Sequence, residues 1–531
     1  MIHGTDLGFQ SNQSVVNKVT AFATKQSVFC EELKRALSNR FLQLLIKGNT
    51  GCFSIKYNFI NGYLNFINLL ESNPNYISVI KTHNTLDITL DIYKIFNIID
   101  RIFKLIKKIL ARKTYPPVDV LFISRDRQVK VKTKSGYMVG DYIFYNVIDE
   151  LKRVIPECRI QLFIINDKFD YLTIRDYIKS IYITLQKFIE WRIFRNRFIE
   201  TQRNVNVNDD HIILATSFFF HPFVFLGNAL LGYNIGRLLA VIKPKVIVSN
   251  DDCMYTRPIG CNAKVIVLQS SRITEYLEEL RKYIFLDNNL KPDYFLASGP
   301  AFGTIKKRCQ AAENVIVTGL PRYDILASAS KIYSKPEFLY RYNISSSHKI
   351  IHWSTQCHVL SDEENAANFA EIFGAMRYLK DVTLVIKQHP AENERYTNLI
   401  QKYVADYGIS AIIPPKDSDT YEQLYVCDLM ITKNSTTAIE AVALGKPVII
   451  LNLSGKPDIV EYVNEGVALG VYKPGCLLPA IENLLKNDSE LGNKRKNYIE
   501  NYLYKIDGKA TERVVDIIVK SLADFSNGEI V

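Results

Sequence analysis

The chain has 531 residues, a formal net charge of +11 and 47% hydrophobic residues, which predicts more than one domain, about three by length, with adequate cores. No run of 18 apolar residues predicts a transmembrane helix, and the opening MIHGTDLGFQSNQSVV lacks the basic and apolar regions of a signal peptide. The nine scattered cysteines contain no C-x-x-C pair, which argues against a structural zinc site and a disulfide framework. We therefore expect a cytoplasmic protein.

The positive charge favours an anionic partner, which is a nucleic acid, a membrane surface or a small molecule. The sequence has no helix-turn-helix, RNP or zinc-finger pattern, so we expect no nucleic-acid partner. Two basic and apolar stretches, residues 101–113 and 178–198, fit either helices packed on their own domain or a contact with a membrane surface. The second alternative would place the protein peripherally on the cytoplasmic face of the inner membrane.

The order of predicted elements indicates an α/β protein with two Rossmann-like domains of parallel strands that face a cleft. Residues 1–115 are predicted to form a mostly helical N-terminal extension, which ends at Tyr115-Pro116-Pro117. Residues 116–330 are predicted to form the acceptor and catalytic domain, and residues 340–531 the nucleotide-binding domain. We expect the polar segment between Ile325 and His348 to be irregular. The predicted strands of the first domain are residues 118–124, 159–165, 245–249, 263–269, 293–297 and 314–319.

Polar residues follow two apolar strands of the second domain at the point where each strand ends. The strand 381–387 runs into Gln388-His389-Pro390, and the strand 428–432 runs into a turn at Ser435 that precedes a helix. Because ligands bind beyond the carboxyl ends of parallel strands, we expect both turns to face one crevice. Ser435 or Thr436 would cap the helix, whose first amides suit a phosphate group.

These turns and the connection between the domains supply the predicted contacts to a nucleotide-linked donor. A leaving phosphate needs positive charge and hydrogen-bond donors, and these side chains supply them without a metal ion or another cofactor. Alternatives remain for several of them: a plain turn at His389, a solvated charge at Glu440 and a structural salt bridge at Arg322. The predicted donor-binding residues are Lys387, His389, Pro390, Asn434, Ser435, Thr436, Glu440, Arg322 and Ser354.

The predicted catalytic carboxylates are Asp251 and Asp252, which follow the strand 245–249 of the first domain. A carboxylate at this edge of a sheet would face the cleft. It could act as a general base on an acceptor hydroxyl or as a nucleophile that forms a covalent intermediate. The alternative is an Asx turn with a structural role.

The motifs K-Q-H-P and N-S-T-T-A-I-E-A-V-A-L-G-K-P-V-I resemble those of GT-B glycosyltransferases that build bacterial surface polysaccharides. They are also similar to relatives that transfer polyol phosphates from CDP-activated donors, and N-V-I-V-T-G-L-P-R-Y-D resembles the interdomain connection of this group. The polyol-phosphate relatives carry His-Gly after the strand that corresponds to residues 263–269, where this chain reads Leu268-Gln269-Ser270-Ser271. The Asp-Cys pair at Asp252 resembles the retaining β-Kdo transferases.

The resemblance implies a glycosyltransferase that moves Kdo from a CMP-activated donor to a lipopolysaccharide or capsule glycan, with double displacement through Asp252. Two alternatives stay open. One is a CDP-polyol phosphotransferase of the glycerol type, which the absent His-Gly disfavours. The other is a nucleotide-binding partner without catalytic activity.

Overall fold

The computed structural model describes residues 116–124, 128–133, 136–164, 182, 236, 238–251, 261–270, 291–308, 312–455, 458 and 460–526. The predicted N-terminal extension over residues 1–115 and the predicted catalytic residue Asp252 lie outside these ranges.

The described strands are two to six residues long and fall into two groups along the chain. The first group is β1 (Val120–Ser124), β2 (Gln128–Thr133), β3 (Gly136–Asp141), β4 (Ile160–Ile164), β5 (Val246–Asn250), β6 (Lys264–Leu268), β7 (Tyr294–Ala297) and β8 (Asn314–Val317). The second group is β9 (Lys349–Ser354), β10 (Val382–Lys387), β11 (Ala411–Ile412), β12 (Leu429–Thr432), β13 (Val448–Leu451) and β14 (Leu469–Val471).

Two parallel six-stranded sheets confirm the predicted α/β fold with two Rossmann-like domains. The first sheet has the order β4-β1-β5-β6-β7-β8, and the second has the order β11-β10-β9-β12-β13-β14. Strands β2 and β3 form a separate antiparallel hairpin, which the sequence analysis did not predict.

Helices cover the sheets and connect their strands. Among the described residues, none of these helices is long and apolar enough to cross a membrane. The α-helices are Tyr145–Val154, Pro300–Arg308, Asp324–Ala327, Ala329–Ile332, Lys335–Arg341, Asp362–Met376, Glu394–Tyr407, Thr420–Val426, Thr437–Ala443, Leu477–Lys486, Ser489–Tyr498 and Ala510–Ser526. Pro321–Tyr323 and Cys357–Val359 are 3₁₀ turns, and Ile499–Leu503 is a π-helical turn.

The central strands are apolar because both of their faces are covered. In β1, Leu121 and Ile123 enter one hydrophobic cluster, while Val120 and Phe122 enter the cluster on the other face. Side chains alternate between the faces of a strand, so a strand buried on both sides is predominantly apolar. This explains why the apolar runs in the sequence located the strands of both sheets.

The segment between the two sheets is helical, so the prediction of an irregular segment between Ile325 and His348 is wrong. Its apolar residues Ile325, Leu326 and Phe338 are buried in hydrophobic clusters that stabilise the short helices. The predicted division of the chain at residues 330–340 stays a prediction.

The end of the chain returns to the first sheet. Val514, Val515 and Ile518 of the last helix pack in the same cluster as Val120 and Phe122. The Asp324 carboxylate accepts hydrogen bonds from the first amides of this helix, at 2.9 Å from Ala510 and 2.7 Å from Thr511. The two domains are therefore joined both by the connection after β8 and by the last helix.

Candidate active site

The ends of β9 and β10 lie side by side, which brings several predicted donor contacts together. Ser354 and Lys387 are register partners at the ends of these parallel strands. The Thr355 amide donates to the Lys387 carbonyl oxygen at 3.0 Å, which extends the pairing one residue further. Because of this pairing, the chain beyond each strand enters the same region at the carboxyl edge of the sheet.

His389 is exposed at this edge, and local hydrogen bonds orient it. Its amide donates to the Thr355 hydroxyl oxygen at 3.3 Å, and its ring Nδ1 accepts from the Ala391 amide at 3.1 Å. With Nδ1 as the acceptor, the neutral imidazole carries its proton on Nε2. The ring stacks on that of His358, with centroids 4.2 Å apart and planes at 22°. The exposed Pro390 follows it.

The sequence analysis assigned no role to His358 or to Glu392, which lie beside His389. The buried Glu392 carboxylate accepts hydrogen bonds from the Thr355 hydroxyl at 2.8 Å and the Cys357 amide at 2.7 Å. His358 Nδ1 lies 3.7 Å from the nearer Glu392 oxygen. The available signal was the position of His358, four residues beyond the end of the strand that neighbours β10.

Lys387 places an amino group at the buried end of β10. Its Nζ donates to the Lys416 carbonyl oxygen. Burial lowers the pKa of Lys387 to about 8, and the carboxylates of Asp417 and Asp419 oppose this shift. Lys387 is therefore mainly charged at neutral pH and loses its proton in mildly alkaline solution.

A buried histidine holds the Ser354 hydroxyl. His352 Nε2 lies 2.9 Å from Ser354 Oγ, and the imidazole has no exposed surface. Burial lowers the pKa of His352 to about 3, and the charge of Lys387 acts in the same direction. The imidazole is therefore neutral and orients Ser354 without adding charge to the site.

The turn after β12 carries the other predicted donor contacts. The Asn434 amide donates to Gln356 Oε1 at 2.8 Å, which ties this turn to the end of β9. The Ser435 hydroxyl contacts the Thr437 hydroxyl and accepts from the Thr437 amide at 3.2 Å. Thr436, at the N-cap position, makes no side-chain cap bond within the described part of the chain. Ser435 thus stabilises the first turn, and the expected cap by Thr436 is not made.

Arg322 and Glu440 are buried at the interface of the two domains. The Arg322 guanidinium carbon lies 4.7 Å and 4.8 Å from the ring centroids of Tyr142 and Tyr323, and its side chain donates to the Tyr323 hydroxyl at 2.8 Å. Glu440 is 3% exposed and accepts from the Tyr142 hydroxyl at 3.4 Å. Burial raises the pKa of Glu440 to about 7, against the effect of the Arg322 charge. Neither residue is a solvated surface charge.

Polar residues at the ends of β5 and β6 bond to the neighbouring strand ends. Oδ1 of the buried Asp251 accepts from the Ser270 amide at 2.8 Å and the Ser270 hydroxyl at 2.5 Å. The Gln269 side-chain oxygen accepts from the Ser298 amide at 2.9 Å. Both residues therefore join the loops of the first sheet to one another.

The donor set of the second sheet suits an anion. It combines the ammonium group of Lys387, the imidazole of His389 and the hydroxyl groups of Ser354 and Ser435. Within the described ranges, no three His, Cys, Asp or Glu side chains are grouped so that they could hold a metal ion.

The family comparison bears on this same part of the chain. Residues 269–520 match the model of a family described as CDP-Glycerol:Poly(glycerophosphate) glycerophosphotransferase. The matched segment is slightly less than half of the chain and contains Arg322, both turns of the second sheet and Glu440. Together with the two parallel sheets, the match supports a GT-B-like transferase. A nucleotide-linked donor and a glycan or polymer acceptor fit this class.

Two solved structures are distant likenesses of this chain. The wall teichoic acid polymerase TagF is 14% identical with a TM-score of 0.44, over 82% of this chain and 97% of that chain. A UDP-GlcNAc 2-epimerase from Neisseria meningitidis bound to UDP-GlcNAc is 15% identical with a TM-score of 0.46, over 76% and 100% of the two chains. At these values the likeness assigns neither an activity nor a ligand to this chain. No curated protein matches it.

The prediction of a CMP-Kdo glycosyltransferase is wrong, because the matching family is described by glycerophosphate transfer from CDP-glycerol. The predicted contacts of the His-Pro and Ser-Thr motifs are to the phosphate of a nucleotide, so they do not distinguish which group that nucleotide carries. The Asp-Cys pair was too short a signal, and the absent His-Gly received too much weight. The alternative of a CDP-polyol donor is the better supported one.

Proposed function

We propose that this protein transfers a polyol phosphate, of the glycerol phosphate type, from a CDP-activated donor to a hydroxyl group of a polyol-phosphate or glycan acceptor. The observation that carries this proposal is the family match over residues 269–520, which includes the whole donor set of the second sheet. The basic net charge of the chain is consistent with an anionic donor and an anionic acceptor.

In the proposed complex, the donor diphosphate lies beyond the ends of β9, β10 and β12. His389 offers the Nε2 proton of a neutral ring, because its Nδ1 already accepts from Ala391. Lys387 supplies positive charge, and Ser354, Ser435, Thr436 and the backbone of Asn434 and Pro390 shape the site. Such groups stabilise the charge that develops on a leaving CMP.

The transfer requires one proton acceptor. The acceptor hydroxyl oxygen bonds to the donor phosphorus, the bond from this phosphorus to the bridging oxygen of CMP breaks, and its electron pair leaves with CMP. We assign the hydroxyl proton to the Asp252 carboxylate. Asp251 is the less suitable base because it is buried and Ser270 occupies its Oδ1. Where the polyol-phosphate relatives carry His-Gly, this chain reads Leu268-Gln269-Ser270-Ser271, which supplies no histidine base.

All proposed contacts to the donor come from the protein, so we expect no dependence on a metal ion. EDTA should leave both CDP binding and turnover unchanged. Attachment to the cytoplasmic face of a membrane is part of the same proposal, since a chain with a net charge of +11 is attracted to an anionic membrane surface.

The test is incubation with CDP-glycerol and a short glycerol phosphate oligomer, followed by phosphorus NMR. We expect release of CMP together with new phosphodiester signals, and loss of both in the Asp252→Asn variant. Binding of CDP without release of CMP would instead support a nucleotide-binding partner. Equal turnover of UDP-glycerol would contradict the cytidine assignment.

A further inference from the structure

A buried polar cluster joins the two domains behind the candidate donor site. Tyr142 comes from the first domain, between β3 and the helix Tyr145–Val154. Arg322 and Tyr323 come from the connection, whereas Tyr421 and Glu440 come from two helices of the second domain. Arg322, Tyr323, Tyr421 and Glu440 are each at most 6% exposed. We refer to these five residues as the interdomain cluster.

Glu440 connects this cluster to the donor site through its own helix. The helix Thr437–Ala443 begins directly after the Ser435 turn, and Glu440 lies one turn further along it. Whatever fixes the Glu440 side chain therefore also fixes the position of the Ser435 turn. The first domain reaches Glu440 through Tyr142, whose hydroxyl donates to Oε1 at 3.4 Å. The Tyr142 ring at the same time packs on the Arg322 guanidinium, 4.7 Å from ring centroid to Cζ.

The cluster makes fewer hydrogen bonds than its groups allow. Among the described residues, the buried Arg322 Nε and the buried Tyr421 hydroxyl have no hydrogen-bond partner. The bond from Tyr142 to Glu440 is also long for an O–H donor. Unsatisfied buried groups cost stability. The long hydrogen bond from Tyr142 to Glu440 is therefore poorly suited to a purely structural role. It is better suited to a role in which its strength changes with the protonation state of Glu440.

We propose that Tyr142 is a positioning residue: the first domain uses it to hold Glu440, and thereby to set the Ser435 turn for the donor. This inference rests on the proposed function, since it assigns the Ser435 turn to the donor. The contact is strongest when Glu440 is ionised, because a hydroxyl donates a stronger hydrogen bond to a carboxylate than to a neutral acid.

The charge of Glu440 changes between mildly acidic and mildly alkaline pH. Burial raises its pKa to about 7, and the Arg322 charge and the Tyr142 hydrogen bond oppose this shift. The other ionisable groups of the cluster that face it, Tyr323 and Tyr421, both have pKa values raised by burial and stay neutral. The raised pKa of Glu440 means that the folded state binds more protons than the unfolded state between about pH 4.5 and 7. Glu440 therefore lowers stability as the pH rises through this interval.

A double-mutant cycle tests the contact without any ligand. Tyr142→Phe keeps the ring on Arg322 and removes only the hydroxyl group, while Glu440→Gln removes the ionisation. We expect Tyr142→Phe to lower Tm by about 1–2 °C at pH 8.5 and clearly less at pH 5.5. In the Glu440→Gln background, this pH dependence should vanish. An effect of equal size at both pH values, or one that persists unchanged beside Glu440→Gln, would overturn the proposal.

CDP binding at pH 8.5 tests the consequence for the donor. Tyr142→Phe should weaken CDP binding by roughly threefold to tenfold, the range for loss of one hydrogen bond. Tyr137→Phe on the exposed β3 is the matched control and should bind CDP as the wild type does. Wild-type affinity in Tyr142→Phe would overturn the positioning role. A wild type that binds no CDP would refute the proposed function instead, and the double-mutant cycle would still decide whether the contact exists.

Discussion

At the carboxyl edge of the first sheet, Asp251 and Gln269 accept hydrogen bonds from the loops that follow neighbouring strands. In the second sheet, His389 and Ser435 instead accept hydrogen bonds from amides two residues further along their own turns. The first arrangement holds strand ends together and buries the polar atoms. The second orients side chains at the edge, where the His389 ring is exposed. The same kind of position thus supports stability in one domain and, as we propose, donor binding in the other.

The largest effect should follow from breaking the bonds of Asp251. Asp251→Ala removes the acceptor of the Ser270 amide and hydroxyl and leaves buried donors unpaired, so we expect a loss of about 3 kcal/mol in the free energy of unfolding. Asp251→Asn keeps a side-chain oxygen and should lose less than half of that. Urea denaturation of the three proteins measures these values. A stable Asp251→Ala protein with impaired turnover would mean that Asp251 is catalytic and that its hydrogen bonds to Ser270 do not stabilise the fold.

The corresponding change in the second sheet should affect binding and leave stability intact. His389→Ala should weaken CDP binding by about 2 kcal/mol, as expected when a donor to a phosphate oxygen is lost. The free energy of unfolding should change little because the His389 ring is exposed. Calorimetric titration and urea denaturation separate the two quantities, with His389→Gln, which retains an N–H donor, as the control. Unchanged CDP affinity would remove His389 from the site.

The charge of Lys387 should make binding depend on pH. As the pH rises through about 8, Lys387 loses its proton and CDP affinity should fall, by up to about tenfold per pH unit once the lysine is neutral. Lys387→Met should bind more weakly and show no such decline. Because the folded pKa lies below the ordinary value of 10.5, the unfolded state binds more protons between about pH 8 and 10.5. The stability of the free protein should therefore rise over that interval relative to Lys387→Met.

The smallest effect concerns Gln269. Gln269→Ala removes one neutral acceptor from the Ser298 amide and should cost about 1 kcal/mol of stability. Gln269→Asn keeps a neutral side-chain amide at this buried position and serves as the control. CDP affinity should be the same in both variants and in the wild type. Weaker CDP binding in Gln269→Ala would contradict the division of roles between the two sheets.

The sequence was informative where local pattern determines the outcome. Apolar runs located the strands of both sheets, and their polar ends located the turns at His389 and Ser435, because strand burial follows from the alternation of side chains. The stacking of His358 on His389 depends on the pairing of β9 with β10, which no local pattern specifies. The buried Glu440 contacts Tyr142, almost 300 positions earlier in the chain, and no local pattern predicts that contact.

The sequence pattern could not identify the transferred group. The residues that suit a cytidine-linked phosphate are the same for an acidic sugar and for a polyol phosphate, so only the family match separated the two. Asp251 likewise satisfied every sequence criterion for a catalytic carboxylate. Its partner Ser270 follows the next strand, and this tertiary contact supports a structural role, while the catalytic role of Asp251 stays a prediction.

The most direct test of the central claim is hydrogen–deuterium exchange of the wild-type protein with and without CDP. We expect slower exchange in peptides that cover residues 388–393 and 433–440, because the ligand would contact both turns of the second sheet. Peptides that cover residues 249–251 and 268–270 should exchange equally in both states. Protection confined to the first-sheet peptides, or no protection in the two second-sheet turns at saturating CDP, would contradict the account.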